Sequence, residues 1–523
     1  MRPLKLSSLS DIGYASSSMN QALALEIMLS GESVLLTGPA GSGKTYVLAD
    51  FIRRAKRDGK TVAVTATTGL AASHLSGSTI HSWCGIGIHD VLPAGFAKGL
   101  SQSRRDTIIK TDVLIIDEIS MLHDFRLDLI DQVTRAVRGE ADKPFGGLQV
   151  ILCGDFFQLP PVNRNGSVQG GFVTGSKVWS ELNPVICYLE EQHRQDDDSF
   201  LSILNALRAG DVRRHHAERL LAQVNAPIEG AITELHTTNA DVDWINAVQL
   251  EGMPGDEHIF HMEMKGKANY VDSLKRSCLA PEQLVLKEGA LVMCIKNSQD
   301  RKYVNGSLGT IQSFDEISGY PLVKLRNGRT IIISPESWEL RDGDKKRASL
   351  TQLPLRLAWA ITVHKSQGMT LDAARIDLRR AFVEGMGYVA LSRVRRLEAL
   401  SLVGINQMAL KVSSDALAIE GTLRTKAAAD AIRFADLQDK ALSRATEPEK
   451  PAKSGDWATR LEDMRKTHTN AFRPWKDEDD ERLKEMFEHG LGLTSLCEAM
   501  GRQPGSIRSR LKKHFGDDLV IKK

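Results

Sequence analysis

The chain has 523 residues, a length that suits roughly three or four domains, and its apolar content is ample for several cores. Lysine plus arginine (68) and aspartate plus glutamate (66) nearly balance, so overall charge does not mark a nucleic-acid binder and any basic surface must be local. Six scattered cysteines without a C-x-x-C pair argue against a zinc site or a disulfide framework and fit a reducing compartment. No run is apolar for long enough to span a membrane, and no N-terminal apolar region reads as a secretory signal, so a cytoplasmic protein is expected.

In chain order, a polar, Ser-rich start gives way at Asn20-Gln21 to a helical pattern (Leu23, Ile27, Met28) that ends at Gly31. Gln21 can read an adenine edge, since an amide both donates and accepts, or it can be an ordinary surface glutamine. Ser33 to Leu36 reads as a short buried strand. Gly38-Pro39-Ala40-Gly41-Ser42-Gly43-Lys44-Thr45 follows, with the spacing G-x-x-x-x-G-K-[ST] of a phosphate-binding loop. Glycines let main-chain N–H groups turn toward phosphate oxygen, Lys44 reaches the β- and γ-phosphates, and Thr45 holds Mg²⁺. Val47, Leu48, Phe51, Ile52 and Ala55 then recur at helical spacing up to Gly59.

Lys60 to Ala66 predicts a second strand, delivering Thr67-Thr68-Gly69 and then Gly77 to Trp83 at the carboxyl edge of a sheet. The hydroxyls, His81 and Trp83 suit phosphate contact and base stacking; a loop with a core tryptophan is the alternative. Val113 to Ile116 is a buried strand ending in Asp117, which can hold Mg²⁺ through water, and Glu118, which can polarise an attacking water. Leu148 to Cys153 is another strand, and it presents Gln158 where a γ-phosphate can be sensed. The first α/β domain closes near Glu190.

A helical pattern from Phe200 to Leu207 opens a second half. Residues 240–349 change to short strands with turns at Asn305-Gly306 and Asn327-Gly328, the pattern of a small β-barrel-like insert. An α/β pattern resumes from 350 to 406 and contains His364-Lys365-Ser366-Gln367-Gly368-Met369-Thr370 and Gly387 to Arg395. Residues 407–456 read as a helical, charged linker that is Pro/Lys/Glu-rich at Glu447 to Lys453. Residues 457–523 give a trihelical, helix-turn-helix-like pattern, with Trp475 on its apolar face and Arg508, Arg510, Lys512 and Lys513 on its last helix. DNA contact, partner docking and plain solubility are all open for that helix.

Gly38–Thr45, Thr67–Leu75, Asp117–Glu118, Gly154–Val162, Arg194-Gln195, His364–Thr370 and Tyr388–Arg395 resemble, in order and spacing, the superfamily 1B DNA helicases of the PIF family, with RecD-like relatives. The resemblance covers residues 15–405. It implies two RecA-like P-loop domains (1–190, with a wedge-type insert at 81–110; 191–239 joined to 350–406), ATP and Mg²⁺ in the cleft between them, and an SH3-like insert at 240–349. In that family's scheme Gln21 contacts adenine. Gly41, Ser42, Gly43, Lys44, Thr45 and Gly368 surround the nucleotide. Thr45 and Asp117 hold the metal, Glu118 is the base, and Gln158 couples the γ-phosphate to the second domain. Arg194 and Arg393 are arginine fingers from across the cleft. Thr68, His81, Pro161, His364 and Ser366 are implied DNA contacts. Single-stranded DNA, tailed or forked duplexes and 5′→3′ travel are implied as well. The C-terminal module resembles the helix-turn-helix or Myb-like ends of some bacterial helicases, with Arg508 and Arg510 as duplex contacts or a protein partner as the alternative. A bacterial or phage source and a place at the nucleoid follow as guesses. An RNA-preferring motor and a nucleotide-dependent DNA clamp are the competing functions.

Overall fold

The structure is a computed structural model that describes residues 19–440 and 477–515, apart from 75–76, 88, 164–167, 192–196, 229–231, 279, 297, 299–301, 304–305, 327, 343–344, 439 and 503. The chain divides into two compact units, Met1–Ser443 and Arg444–Lys523.

The first α/β half begins with α1 (Gln21–Leu29), β1 (Val34–Thr37), α2 (Lys44–Arg57), β2 (Val62–Ala66) and α3 (Gly69–His74). It continues through β3 (Ser78–Thr79), α4 (Ile80–Cys84), α5 (Phe96–Gly99), α6 (Gln102–Lys110), β4 (Val113–Asp117) and α7 (Asp124–Arg138). It closes with β5 (Gln149–Gly154), α8 (Lys177–Leu182) and β6 (Val185–Tyr188). The six strands form one parallel sheet in the order β3-β2-β4-β5-β1-β6. All four residues of β1 are buried, as its unbroken apolar run requires of a central parallel strand. On α2 the 3.6-residue period puts Val47, Leu48, Phe51 and Ala55 in the core, where each larger side chain contributes about 1.5–3 kcal/mol. Asn20 caps α1 by accepting the Leu23 N–H at 2.9 Å, so Gln21 is fixed as the first helical residue.

The second half carries α9 (Asp198–Arg208), α10 (Arg214–Leu221), β7 (Thr233–His236) and α11 (Asn239–Glu251) before the chain leaves for the insert. The insert holds β8 (His258–His261), β9 (Glu263–Gly266), α12 (Ala268–Ser277), β10 (Gln283–Leu286), β11 (Leu291–Cys294), β12 (Leu308–Phe314), β13 (Pro321–Leu325) and β14 (Thr330–Ile332). Next come β15 (Glu336–Asp342), β16 (Lys345–Gln352) and β17 (Leu355–Leu357). Its main sheet is antiparallel in the order β14-β13-β12-β11-β17. Gly328, at φ +82°, turns β13 into β14, and Asn327 lies outside the described residues. Between β11 and β12 the link runs over residues 295–307, longer than a two-residue hairpin turn, and Asn305 too lies outside the described residues.

The α/β pattern resumes with β18 (Ala360–Thr362), α13 (Val363–Ser366), β19 (Ala374–Leu378), α14 (Met386–Leu391) and β20 (Leu400–Ile405). These strands complete a parallel sheet in the order β18-β7-β19-β20, so β7 pairs with strands more than a hundred residues away.

Of the expected helical, charged linker, the helical part is present at 414–433, and it is packed rather than free-standing. This helix is α15 (Ser414–Arg433), with Leu423, Ala427 and Ala431 buried. Its Asp430 carboxylate accepts the Ile186 N–H of β6 at 2.8 Å, which ties the end of the second half back to the sheet edge of the first. The sequence marks the stretch as helical but hid its packing, because the helix meets the core mostly through small residues. Glu447 to Lys453 lies outside the described residues.

In the C-terminal unit, α16 (Asp477–Glu488), α17 (Leu493–Met500) and α18 (Pro504–Phe515) pack Leu483, Leu496, Met500, Ile507 and Leu511 into a small core of their own. Trp475 lies outside the described residues. Among the described residues no helix is long and apolar enough to cross a membrane.

Candidate nucleotide site and nucleic-acid surface

The loop between β1 and α2 wraps a cleft of about 250 Å³ at the carboxyl ends of the first sheet. Gly43, at φ +84°, is both left-handed and crowded: a Cβ there would lie 2.2 Å from Gln21 Nε2. Gln21 Nε2 donates to the Ser42 carbonyl at 3.1 Å, so the glutamine is clamped onto the loop rather than free on the surface. Lys44 Nζ donates to the carbonyls of Gly38 and Pro39, both at 2.9 Å. Burial lowers its pKa, while Asp155 and Glu118 oppose that shift.

Gly41, Gly43, Lys44 and Thr45 line the cleft from one side, with Asp117 and Glu118 at the end of β4. Glu118 adopts φ +52°, a conformation side chains rarely take, and such residues gather where function over-determines the backbone. Thr67 Oγ1 donates to the Glu118 carbonyl (3.1 Å), and the Glu118 N–H donates to Asp117 Oδ1 (2.8 Å). Burial raises the pKa of both acids. Glu118 is pushed up to about 7, first by burial and then by neighbouring Asp117, against the stabilising contacts of Gln367 and Lys44. A carboxyl poised there suits proton acceptance near neutral pH.

The residues present fit a magnesium nucleotide. Ser42 Oγ and Gln158 Oε1 are buried without protein partners among the described residues. Thr45 and Asp117 offer hard oxygen donors. Among the described residues no group of three His, Cys, Asp or Glu side chains forms a metal cage. Mg²⁺ characteristically takes one or two protein oxygens plus phosphates, so this donor set is the one it would use.

Gly368, Thr370, Arg393 and Arg395 bring the second half to the same cleft. Arg393 is 1% exposed, and its guanidinium is already committed. It donates to the carbonyls of Val389 (2.7 Å), Ser366 and Met369 (3.2 Å each) and to Ser392 Oγ (2.7 Å). It therefore lines the cleft while bracing its own half. Arg194 lies outside the described residues.

Sequence reasoning passed over three contributors. Tyr388 Oη accepts the Ala40 N–H at 2.9 Å and donates to Asp155 Oδ2 at 3.2 Å, joining α14 to the phosphate loop. Arg208 on α9 donates to Asp155 Oδ1 at 2.5 Å. Gln367 Nε2 donates to Glu118 Oε2 at 2.9 Å. Tyr388 and Gln367 stood inside the recognised motifs, but spacing alone could not say whom they meet.

Of the residues taken for DNA contacts, Thr68 and Pro161 are partly exposed, and Thr68 Oγ1 accepts the Ala71 N–H at the start of α3. His364 is partly exposed and stacks with the exposed Phe382 ring at 6.1 Å. Ser366 needs correction: it is fully buried and its hydroxyl donates to the Val363 carbonyl at 2.8 Å, so it is a structural residue here. Trp83 is 8% exposed and belongs to the core, the alternative reading of that segment. Arg510 is partly exposed, with Nε and Nη2 both donating to the Asp480 carboxylate, whereas Arg508 is exposed.

His81 faces Arg126, whose Nη1 lies 3.0 Å from His81 Nε2 while Nη2 donates to Asp90 at 2.6 Å. Burial and then the Arg126 charge lower the His81 pKa to about 4. A neutral imidazole accepts from Arg126 and offers a ring face rather than a charge. Single-strand affinity is therefore expected to show no His81-linked step between about pH 5.5 and 8. The folded-state pKa lies below the unfolded value of 6.5, so the unfolded chain takes the proton first and stability falls as pH drops from 6.5 toward 4. His81→Gln should remove that portion of the acid sensitivity, measured as unfolding midpoints against pH. An unaltered profile would refute it.

Comparison with known proteins agrees with this geometry. The family model for PIF1-like helicase matches residues 16–218, and that for the 2B domain of DNA helicase Pif1 matches residues 269–314. The ATP-dependent DNA helicase Pif1 of Psychrobacter is 40% identical over 455 residues, 75% of this chain and 69% of that one. The Pif1 helicase structure from Candida albicans has 34% identity and a TM-score of 0.68, over 77% of this chain and 98% of that one. The Bacteroides Pif1 structure in complex with ADP-AlF3 and ssDNA has 32% identity and a TM-score of 0.61, over 78% of this chain and 98% of that one. Two parallel-sheet halves closing one phosphate cleft, with these relatives, place the chain in the PIF1-like family of ATP-dependent DNA helicases.

Proposed function

We infer that this chain hydrolyses ATP to travel 5′→3′ on single-stranded DNA and to part the strands of tailed or forked duplexes. The observation that carries the reading is the shared cleft: Lys44, Thr45, Asp117 and Glu118 come from one half, and Gly368, Thr370 and Arg393 from the other. A triphosphate held there touches both halves, so losing its γ-phosphate alters how they meet. Magnesium, when bound, neutralises phosphate charge. Gln21 would hold adenine and the loop from Gly41 to Thr45 the phosphates. Thr45 and Asp117 would hold the metal, Glu118 would take a proton from water, and Gln158 would sense the γ-phosphate. Arg393 and Arg194 would offset charge from the second half, an effect worth about 10³–10⁵ in rate in other nucleotide hydrolases.

Thr68, His81, Pro161 and His364 would line the path of the strand, and residues 81–110 would act as the wedge. Opening duplex must offset stacking of about 1.4 kcal/mol per step, which passive binding does not do directionally. Arg508 of the C-terminal unit would add a duplex contact. Such work belongs on DNA in the cytoplasm, at the nucleoid of a bacterial or phage system.

The test is strand separation with ATP on two partial duplexes, one with a 5′ single-stranded tail and one with a 3′ tail. Opening of the 5′-tailed duplex alone is expected. Opening of the 3′-tailed duplex alone would overturn the polarity, and opening of neither would leave a translocase rather than a helicase.

A further inference from the structure

Gln367 sits just beyond α13 in the second half and is 6% exposed. Its Nε2 donates to Glu118 Oε2 at 2.9 Å, a contact between residues 249 positions apart and on opposite halves. Its Oε1 is buried with no partner among the described residues. Gln158 Oε1, which lines the same cleft, is in the same condition. Buried amide oxygens are ordinarily bonded, so an orphan on the residue that holds the Glu118 carboxylate points to a missing donor there. In phosphate hydrolysis that donor is water. One of its O–H groups faces the base, and the other must face an acceptor.

We propose that Gln367 is a positioning residue for the attacking water, supplied by the second half. Its Nε2–H fixes the Glu118 carboxylate through Oε2 and leaves Oε1 of Glu118 for the water. Its own Oε1 accepts the second O–H. The water oxygen bonds to the γ-phosphorus as its proton passes to Glu118. The bond from the γ-phosphorus to the bridging oxygen breaks, and its electron pair leaves on ADP. Glu118 then returns the proton to solvent, and inorganic phosphate departs. An arginine finger stabilises charge. Gln367 instead reports whether the halves are together, because moving them apart withdraws the amide from the base. The proposal rests on the reading of Glu118 as the base.

The experiment uses the full chain with saturating single-stranded DNA and compares Gln367→Leu, Glu118→Gln and the double variant. For Gln367→Leu, kcat is expected to fall by about 10²-fold, the scale of one preorganised polar contact. KM for ATP and affinity for Mg·ADP should stay within about two-fold, since the contact is made to water and not to nucleotide. Affinity for ADP with aluminium fluoride should fall in step with kcat, because that complex mimics the state with water in line. Adding Gln367→Leu to Glu118→Gln should cost little more, because the two act as one unit. An unchanged kcat in Gln367→Leu beside an inactive Glu118→Gln would overturn this assignment alone. Parallel losses of ADP and ADP–aluminium fluoride affinity would make Gln367 merely structural and overturn it too. Full turnover by Glu118→Gln would overturn the base and the proposal together.

Discussion

Lys44→Ala is expected to lower ATP turnover by at least about 10²–10³-fold, the loss that follows removal of one preorganised donor from a transition state. Nζ is held by two loop carbonyls, Gly38 and Pro39, at 2.9 Å each, close to Asp155 and Glu118. A nucleotide must therefore draw the ammonium off those carbonyls, and the developing charge on the β–γ bridge rewards that exchange. Alanine begins a helix as well as lysine does, and the core contacts of α2 lie further on, at Val47, Leu48 and Phe51. The melting temperature should consequently move little while turnover collapses. Lys44→Arg should not restore the rate, because a planar guanidinium does not replace a compact ammonium in a cavity of about 250 Å³. Steady-state hydrolysis with saturating single-stranded DNA, beside a thermal melt, decides it. Turnover within about ten-fold of the parent would mean that Lys44 contributes less than about 1.4 kcal/mol and that the chemistry lies elsewhere.

Much of this site was legible before the structure. The phosphate loop is a local device whose residues are consecutive, so Gly41 to Thr45 could be placed by spacing. The acid pair follows an apolar strand, so position at the strand's end brings Asp117 and Glu118 to the sheet's carboxyl edge. Contacts that depend on how two halves meet were harder to see. The resemblance implied a DNA contact for Ser366 and an arginine finger for Arg393, but not the bonds each makes within its own half. Ser366 turns back on α13, and Arg393 spends its donors on carbonyls that a tight loop leaves open. Arg510 was offered as a duplex contact by its place on the last helix of a helix-turn-helix-like pattern, and its bond to an aspartate thirty residues upstream was not legible there. The helical character of α15 was legible, but its docking was not, because alanines at its seam carry little periodic signal although they let it approach the sheet closely. The turn residues did mark the β13–β14 hairpin, but residue type cannot set the length of a link such as 295–307.

Arg208→Ala is expected to destabilise the unit containing both halves by about 3–5 kcal/mol, the cost of leaving a buried charge without its partner. Arg208 lies on α9, and its side chain is 8% exposed against 0% for Asp155, which it meets at 2.5 Å. The guanidinium also reaches Tyr188 Oη at 3.1 Å and lies 4.2 Å over the Phe157 ring. Tyr188 Oη in turn donates to Glu420 on α15 at 2.5 Å and accepts from Arg424 at 3.0 Å. Removing the guanidinium leaves Asp155 with the Tyr388 hydroxyl at 3.2 Å and the Phe157 N–H at 3.2 Å. The strain passes to the phosphate loop, because the same Tyr388 hydroxyl accepts the Ala40 N–H. Stability and nucleotide binding should therefore fall together, read as a lower urea midpoint and a higher KM for ATP. Arg208→Met combined with Asp155→Asn removes both charges and should recover most of the stability, since desolvation of an unpaired ion is the dominant cost. It should not recover the nucleotide effect in full, because the amide presents one acceptor where the carboxylate presented two. If the double variant were no more stable than Arg208→Ala, packing over Phe157 rather than charge pairing would be what holds α9 to the first half.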